Sequence, residues 1–208
     1  MAAQCNKFAV PLHELGEKTF KEKSSWLLVP DRIRVNVAHV ISIFSSTKTL
    51  SNVFYAVRLN DSDNQYTHKA LCAWLNSTFG LLLILSNRVE TEGAWGRLKL
   101  SHWRLQNVLD ITKLKKDAIE ALSKTFDRYS TKDMPRLPQQ YNPQNIDPMR
   151  IAFDKEVMRS LGITIDDAEL KELYSIIYEG FEQWFTFNKP RKGSAEEDEE
   201  LDIDEDNE

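Results

Sequence analysis

One short stretch of the chain combines cations, aromatic rings and glycines in a way that suits contact with nucleic acid. Its members lie between residues 88 and 104: Arg88, Gly93, Trp95, Gly96, Arg97, Lys99, His102, Trp103 and Arg104. Cationic side chains contact phosphates, and an aromatic ring can stack on an exposed base. The glycines would let the backbone approach a ligand closely. A structural alternative stays open, in which Gly93 ends a helix and both tryptophan rings belong to the core.

Two further basic sites are weaker. Arg32 and Arg34 flank a predicted strand, and Arg136 lies in a proline-containing segment. Arginine is rarely buried without a partner, so these side chains favour a surface role. Lys113, Lys115 and Lys116 indicate a solvated helix face rather than a phosphate contact.

Catalytic and metal-binding patterns are absent from the sequence. The four histidines are isolated, with no His/Cys/Asp spacing typical of a metal site. The pair Glu90 and Glu92 fits a solvated loop better than an acid/base pair. None of the seven glycines forms a Gly-x-Gly spacing, so no phosphate-cradling or cofactor loop is predicted.

The elements that would position the basic residues mix strands and helices. Alternation and β-branched residues predict strands over residues 26–29, 35–44 and 52–59, with a turn at 45–47, and a shorter strand over 97–100. An apolar repeat predicts a long helix over 66–87, which contains an unusual polar or flexible interruption at 76–80. We expect either close packing of a neighbour at this interruption or a kink.

The second half of the chain is predicted to be helical. Ser101 is the expected N-cap of a helix to residue 106, and Thr112 that of a helix to residue 129. Asp147 and Pro148 predict a helix start, and residues 164–167 resemble a capping box that opens a helix to residue 185. Residues 134–146 contain three prolines and predict a linker or extended strap.

The predicted fold class is α+β: a small, mostly antiparallel sheet packed on the long helix, followed by a helical C-terminal subdomain and a disordered acidic tail. The predicted boundaries are a weakly patterned segment 1–23, an α+β domain 24–133, a linker 134–146, a helical subdomain 147–188 and a tail 189–208. A hydrophobic share of 41% is enough for a core in a chain of 208 residues.

The net charge of −5 hides an asymmetry. Ten of the 32 acidic residues lie between residues 196 and 208, so the remainder has 27 basic against 22 acidic residues, a charge of +5. This distribution indicates a nucleic-acid surface and a solvating or masking tail, with plain solubility as the alternative. Two distant cysteines, no signal-peptide pattern and no apolar run of bilayer length favour a cytoplasmic protein.

The order of motifs resembles the C-terminal, target-recognition half of large adenine-N6 DNA methyltransferases of restriction and phage-defence systems. The resemblance begins with Leu75-Asn76-Ser77-Thr78-Phe79-Gly80, continues through Gly93, Trp95 and Lys99, and reaches the turn Val108-Leu109-Asp110. A helix, a proline-containing segment, the pattern Asp147-Pro148-x-Arg150-x-x-x-Asp154 and a Leu161-Gly162 break follow. The resemblance covers about residues 26–184.

The resemblance implies that this chain holds double-stranded DNA while another chain performs the chemistry. Such an enzyme needs a Gly-rich loop for S-adenosylmethionine and an Asn/Asp-Pro-Pro-aromatic loop for the flipped adenine. Neither motif is present, and Asn142-Pro143-Gln144 lacks the second proline and the aromatic residue. We therefore expect no cofactor in this chain, with S-adenosylmethionine bound by a catalytic methyltransferase subunit or domain.

The expected DNA-binding residues are Arg88, Gly93, Trp95, Arg97, Lys99, His102, Arg104, Arg32 and Arg34. The sequence leaves two other functions open. One is a protein-interaction or regulatory component of a defence system that acts through its acidic tail. The other is a diverged nucleic-acid binder that works alone.

Overall fold

The computed structural model describes residues 16–60, 64–86, 89–90 and 95–187. The tail 189–208 and most of the segment 1–23 therefore lie outside the described residues. Within them the chain forms an α+β fold, which confirms the predicted class. The strands are β1 Ser25–Pro30, β2 Arg32–Arg34, β3 Ile43–Thr49, β4 Phe54–Val57, β5 Val89–Glu90 and β6 Trp95–Arg97. The helices are α1 Glu17–Lys23, α2 Gln65–Asn76, α3 Thr78–Ser86, α4 Leu100–Leu105, α5 Lys116–Tyr129, α6 Leu137–Gln140, α7 Pro148–Ser160 and α8 Asp167–Phe187, with a 3₁₀ turn at Ile111–Lys113.

The strands form two antiparallel three-stranded sheets. In the first, β1 lies between β3 and β4, with Leu28 opposite Ile43 on one side and Ala56 on the other. In the second, β6 lies between β2 and β5. β1 is buried along almost its whole length, as expected of a central strand.

The predicted strand over 35–44 and the turn over 45–47 are wrong. The amides of Val37 and Ala38 both donate to the Arg34 carbonyl and form a turn. The amides of Ile41 and Ser42 donate to the Asn76 side chain, each at 2.9 Å, instead of to a neighbouring strand. The strand β3 begins only at Ile43 and runs through the predicted turn.

The predicted long helix over 66–87 is two helices, α2 and α3, bent by 72°. The break is at Ser77, whose backbone is extended and whose hydroxyl donates to the Trp74 carbonyl at 2.6 Å. A Cβ at Gly80 would lie 2.3 Å from the Trp74 carbonyl oxygen, so the bend leaves no room for a side chain there. The predicted kink is therefore present, and Gly80 permits it.

Several helix starts differ from the prediction by a few residues. The predicted strand 97–100 gives way to α4, which begins at Leu100 with Lys99 at the N-cap, so Ser101 is not the cap. Asp110 caps the 3₁₀ turn, and α5 begins only at Lys116. The predicted start of α7 is confirmed, since Asp147 accepts a hydrogen bond from the Met149 amide at 2.9 Å.

One apolar cluster joins the sheets and the helices. It includes Leu27 of β1, Leu75 of α2, Leu122 of α5 and Phe181 of α8. Helix α5 packs against α2 and α7. Residues 134–146, predicted as a linker or strap, contain α6 and bury Leu137, Gln140 and Tyr141 in this cluster. The division of the chain into domains stays a prediction.

Among the described residues no single helix is long and apolar enough to cross a membrane. Taken together, α2 and α3 reach the required length and hydropathy, but they are separated by the 72° bend.

Candidate nucleic-acid interface

The two basic segments that the sequence treats as separate sites are neighbouring strands. β2 pairs with β6 in antiparallel register, which places Arg32 opposite Arg97, Ile33 opposite Gly96 and Arg34 opposite Trp95. About 60 residues of sequence separate the paired positions. The sequence carries no signal for this pairing, because both strands are only three residues long.

The alternation along β2 decides which side chains reach solvent. Ile33 is buried in the core, whereas Arg32 and Arg34 are exposed. Directly opposed residues of an antiparallel pair project on the same face. Arg97 therefore lies on the same face as Arg32 and Arg34, and we call these three arginines the cationic face.

Asp31 is an acidic neighbour of the cationic face. Asp31 Oδ2 lies 3.7 Å from Arg32 Nε, and Asp31 Oδ1 accepts a hydrogen bond from the Tyr55 hydroxyl at 2.6 Å. That hydrogen bond, together with burial and the charge of Asp31, raises the pKa of Tyr55, and the nearby charge of Arg97 opposes the shift. Like charges directly opposite each other destabilise a sheet, so the Arg32–Arg97 pair favours a bound anion.

Two buried nitrogen atoms, one in β6 and one in α4, have no hydrogen-bond partner within the described ranges. They are Nε of Arg97 and Nδ1 of His102. Buried polar atoms in folded proteins are nearly always paired. Nε of Arg97 is thus unused hydrogen-bonding capacity within the cationic face, and Nδ1 of His102 is unused capacity in the helix that follows β6.

The segment after β6 is held in place by main-chain contacts. The Leu98 amide donates to the Asp31 carbonyl at 2.7 Å, and the Trp103 indole N–H donates to the Pro30 carbonyl at 3.0 Å. Trp103 is partly buried and packs against the core, as the structural alternative predicts. These contacts fix the direction in which α4 leaves the sheet.

The remaining predicted site residues differ in how fully the structure describes them. Lys99 and Arg104 are exposed at the start and in the last turn of α4, and His102 is half-buried between them. Arg88 and Gly93 lie outside the described residues, and for Trp95 the structure gives the backbone pairing alone. Arg136 is exposed immediately before α6, away from both strands in the chain.

A second polar cluster, which the sequence did not predict as a unit, is enclosed by the core. Asp154 is 0% exposed and accepts hydrogen bonds from the Thr78 amide at 2.9 Å, the Thr78 hydroxyl and the Tyr174 hydroxyl at 2.7 Å. Burial and the Asp154 carboxylate raise the pKa of Tyr174. We call this set, with Arg150, the buried polar centre.

Arg150 completes the buried polar centre. Its guanidinium donates to the Asn76 carbonyl at 2.8 Å and to Gln140 Oε1 at 2.9 Å, and lies 3.5 Å from Asp154. The rings of Tyr141 and Phe153 flank it at 5.4 and 5.3 Å. Because Arg150 is only 1% exposed, the centre is closed to ligands, and it holds the break between α2 and α3.

The histidines of the described residues show no metal-binding arrangement. Nδ1 of His39 lies 2.6 Å from the Met134 carbonyl, and Nδ1 of His68 lies 2.8 Å from the Asn64 carbonyl. No group of three His, Cys, Asp or Glu side chains suited to a metal ion occurs in the part of the chain that the structure describes.

No match emerges from comparison with known families, proteins and structures. Neither family models, nor curated proteins, nor solved structures match this chain.

Proposed function

We propose that this chain is the DNA-binding target-recognition module of a split or truncated site-specific adenine-N6 DNA methyltransferase, non-catalytic on its own. Its partners are double-stranded DNA and a catalytic methyltransferase subunit or domain that binds S-adenosylmethionine. The chain would work in the cytoplasm, where such enzymes meet DNA.

The observation that carries the proposal is the cationic face. Three arginines from two strands distant in sequence project on one side of a small sheet, with Lys99 and Arg104 exposed on the adjoining segment. Arginine contacts phosphates and reads guanine edges with its paired donors.

The buried polar centre supports the resemblance on which the methyltransferase part depends. The motif that contains Asn76 and Thr78 and the later motif that contains Arg150 and Asp154 contact each other directly. Two motifs that are distant in sequence thus form one structural unit, as expected if their order is inherited together.

A binding titration tests the DNA-binding part. Arg32→Ala and Arg97→Ala should each weaken binding to a duplex and lower the salt slope by about one unit per phosphate contact. Arg128→Ala is the matched control. Arg128 lies on α5, where it pairs with Glu156 of α7 at 2.6 Å, and its loss changes the net charge by the same amount. Equal losses in all three variants would indicate a general charge effect and contradict the proposed face.

A reconstitution assay tests the methyltransferase part. The catalytic candidate is a protein encoded beside this chain that carries a Gly-rich loop and an Asn-Pro-Pro-aromatic motif. Site-specific adenine methylation should require both chains, and this chain alone should neither bind S-adenosylmethionine nor transfer a methyl group. Calorimetric detection of stoichiometric S-adenosylmethionine binding by this chain would contradict the proposal.

A further inference from the structure

A preformed apolar groove lies between residues 163–166 and the first turns of α8. Its apolar walls are Ile163, Ile165, Leu173 and Ile176, and its volume is about 400 Å³. Ile176 is 55% exposed and Ile163 is 47% exposed. The described residues leave the outer side of this groove uncovered.

Hydrogen bonds fix both ends of the segment that forms one wall. Gly162, with a φ of 76°, ends α7, and the amide of Ile163 donates to the Met158 carbonyl at 3.0 Å. At the other end Asp166 and Glu169 cap α8 reciprocally, at 2.8 and 3.0 Å. This capping box begins two residues later than the sequence predicted. Because this segment is already fixed in place, ligand binding does not have to order it, and the entropy cost of binding is lower.

Beyond the groove, the same face of α8 carries a glycine that the fold does not require. Leu173, Ile176 and Gly180 share one face of the helix, since they are spaced by three and four residues. A Cβ at Gly180 would meet no atom within 4 Å, and its φ is not positive. Glycine weakens a helix interior relative to alanine. Its useful property here is that another backbone can approach closely.

The border of the groove is acidic. Helix α8 contains five carboxylates and one lysine between residues 167 and 187. Glu169 and Glu172 line the groove, and Glu179 is exposed one turn beyond Ile176 on the same side. A ligand that fits this surface therefore combines aliphatic side chains with positive charge.

We propose that this face of α8 docks an amphipathic helix of a partner protein. The partner's aliphatic side chains enter the groove beside Ile163 and Ile176, and its backbone approaches α8 at Gly180. Lysines or arginines of the partner lie along Glu169, Glu172 and Glu179. This is the helix-in-groove mode of recognition, in which anchors recur at intervals of three and four residues. The docking face shares no residue with the cationic face, so it leaves the cationic face available while a partner is bound.

Fluorescence anisotropy with synthetic peptides tests this docking face on the full chain. The probe is a labelled peptide of about 20 residues, long enough to be partly helical, with leucines on one face and lysines beside them. One control peptide carries glutamates in place of the lysines. A scrambled peptide keeps the composition of the probe and measures what the acidic residues 196–208 bind without specificity.

The expected result is saturable binding of the lysine peptide alone, weakened about tenfold or more by Ile176→Ser and by Gly180→Leu. Gly180→Leu should keep or raise the melting temperature, because the added side chain meets open space. Lys171→Leu adds the same side chain on another side of α8 and should not weaken binding. Equal binding of all three peptides, no saturable binding, or insensitivity to both variants would overturn the proposal. A chain that sediments as a dimer, and as a monomer after Gly180→Leu, would assign the face to a second copy and overturn it as well.

Discussion

The Asp154 carboxylate accepts a 2.9 Å hydrogen bond from the amide of Thr78, across 76 residues of sequence. The first residue of α3 is thereby attached to the middle of α7, while Arg150 on the same face of α7 donates to the last carbonyl of α2. Both sides of the helix break are thus held by one turn of one helix. The interruption within the apolar segment is an attachment point and has a structural purpose.

Asp154→Ala should destabilise the protein strongly. It leaves the Arg150 guanidinium buried without its carboxylate, and breaking such a pair typically lowers the free energy of unfolding by about 3–5 kcal/mol. Urea unfolding followed by circular dichroism measures the change. Asp127→Ala is the control, since Asp127 forms an exposed 2.7 Å ion pair with Lys69, a type worth at most about 1 kcal/mol. Similar losses of unfolding free energy in both variants would show that the buried pair contributes no more to stability than the exposed one.

Gly80→Leu and Asn76→Leu should both damage folding. At Gly80 the new Cβ would collide with the Trp74 carbonyl oxygen at 2.3 Å. At Asn76 the change removes the hydrogen bonds to both amides of residues 41 and 42 and to the Ser42 carbonyl. Gly180→Ala is a matched helical glycine with open space around it, and it should raise stability by up to about 1 kcal/mol. Wild-type melting temperatures for both leucine variants would refute the close packing at the bend.

The double variant Arg32→Ala/Arg97→Ala should bind DNA more weakly than either single variant, and its losses should not be additive. Directly opposed side chains share a phosphate environment, and neighbouring residues typically couple by about 0.5–3 kcal/mol. Stability should stay constant or rise slightly, because removing one arginine relieves like-charge repulsion. A double-mutant cycle of duplex affinity, with melting temperatures in parallel, provides both quantities. Loss of stability without loss of affinity would assign the arginines to internal ion pairs.

Removing residues 193–208 should strengthen DNA binding and steepen its salt dependence. The deletion removes ten carboxylates and leaves a chain with an excess of five positive charges, apart from histidine. Phosphate contacts release counterions, so a less masked surface has a larger salt slope. The measurement is duplex affinity at several salt concentrations for the full and shortened chains. Unchanged affinity at low salt would show that the acidic run does not compete with DNA.

Cys72 should resist alkylation in the folded protein. Burial raises the pKa of its thiol to about 12, so at pH 8 the reactive thiolate is scarce. In a Cys5→Ser variant, iodoacetamide should label no thiol until urea unfolds the chain, as mass spectrometry would detect. Fast labelling under native conditions would contradict the burial of α2.

The fold class and the order of most helices could be predicted from the sequence, whereas the pairing of the strands could not. Asp147 and Pro148 mark the start of α7 through local chemistry, and that prediction is confirmed. The predicted strand over 35–44 is wrong because residues 37 and 38 form a turn and the amides of Ile41 and Ser42 donate to the distant Asn76 side chain. A local sequence pattern does not predict contacts between residues that are distant in sequence.

The same limit applies to the candidate site. The sequence identified Arg32, Arg34 and Arg97 as candidates, but their alignment depends on a register that only the fold defines. The sequence presents Arg150 and Asp154 only as members of a motif, because no local pattern indicates that the core encloses this charged pair.

The small size of the second sheet connects ligand binding at the cationic face to local separation of the strands β2 and β6. β2 and β6 are three residues each, so few backbone hydrogen bonds join them, and the burial of Ile33 contributes to holding the pair closed. Opening separates Arg32 from Arg97, and the ligand site then exists only in the closed fraction. An anion bound across the two strands would slow hydrogen exchange at the amides of both strands while leaving α5 and α7 unaffected. Affinity for an anion bound across the two strands would therefore depend on the local stability of this small sheet as well as on that of the core.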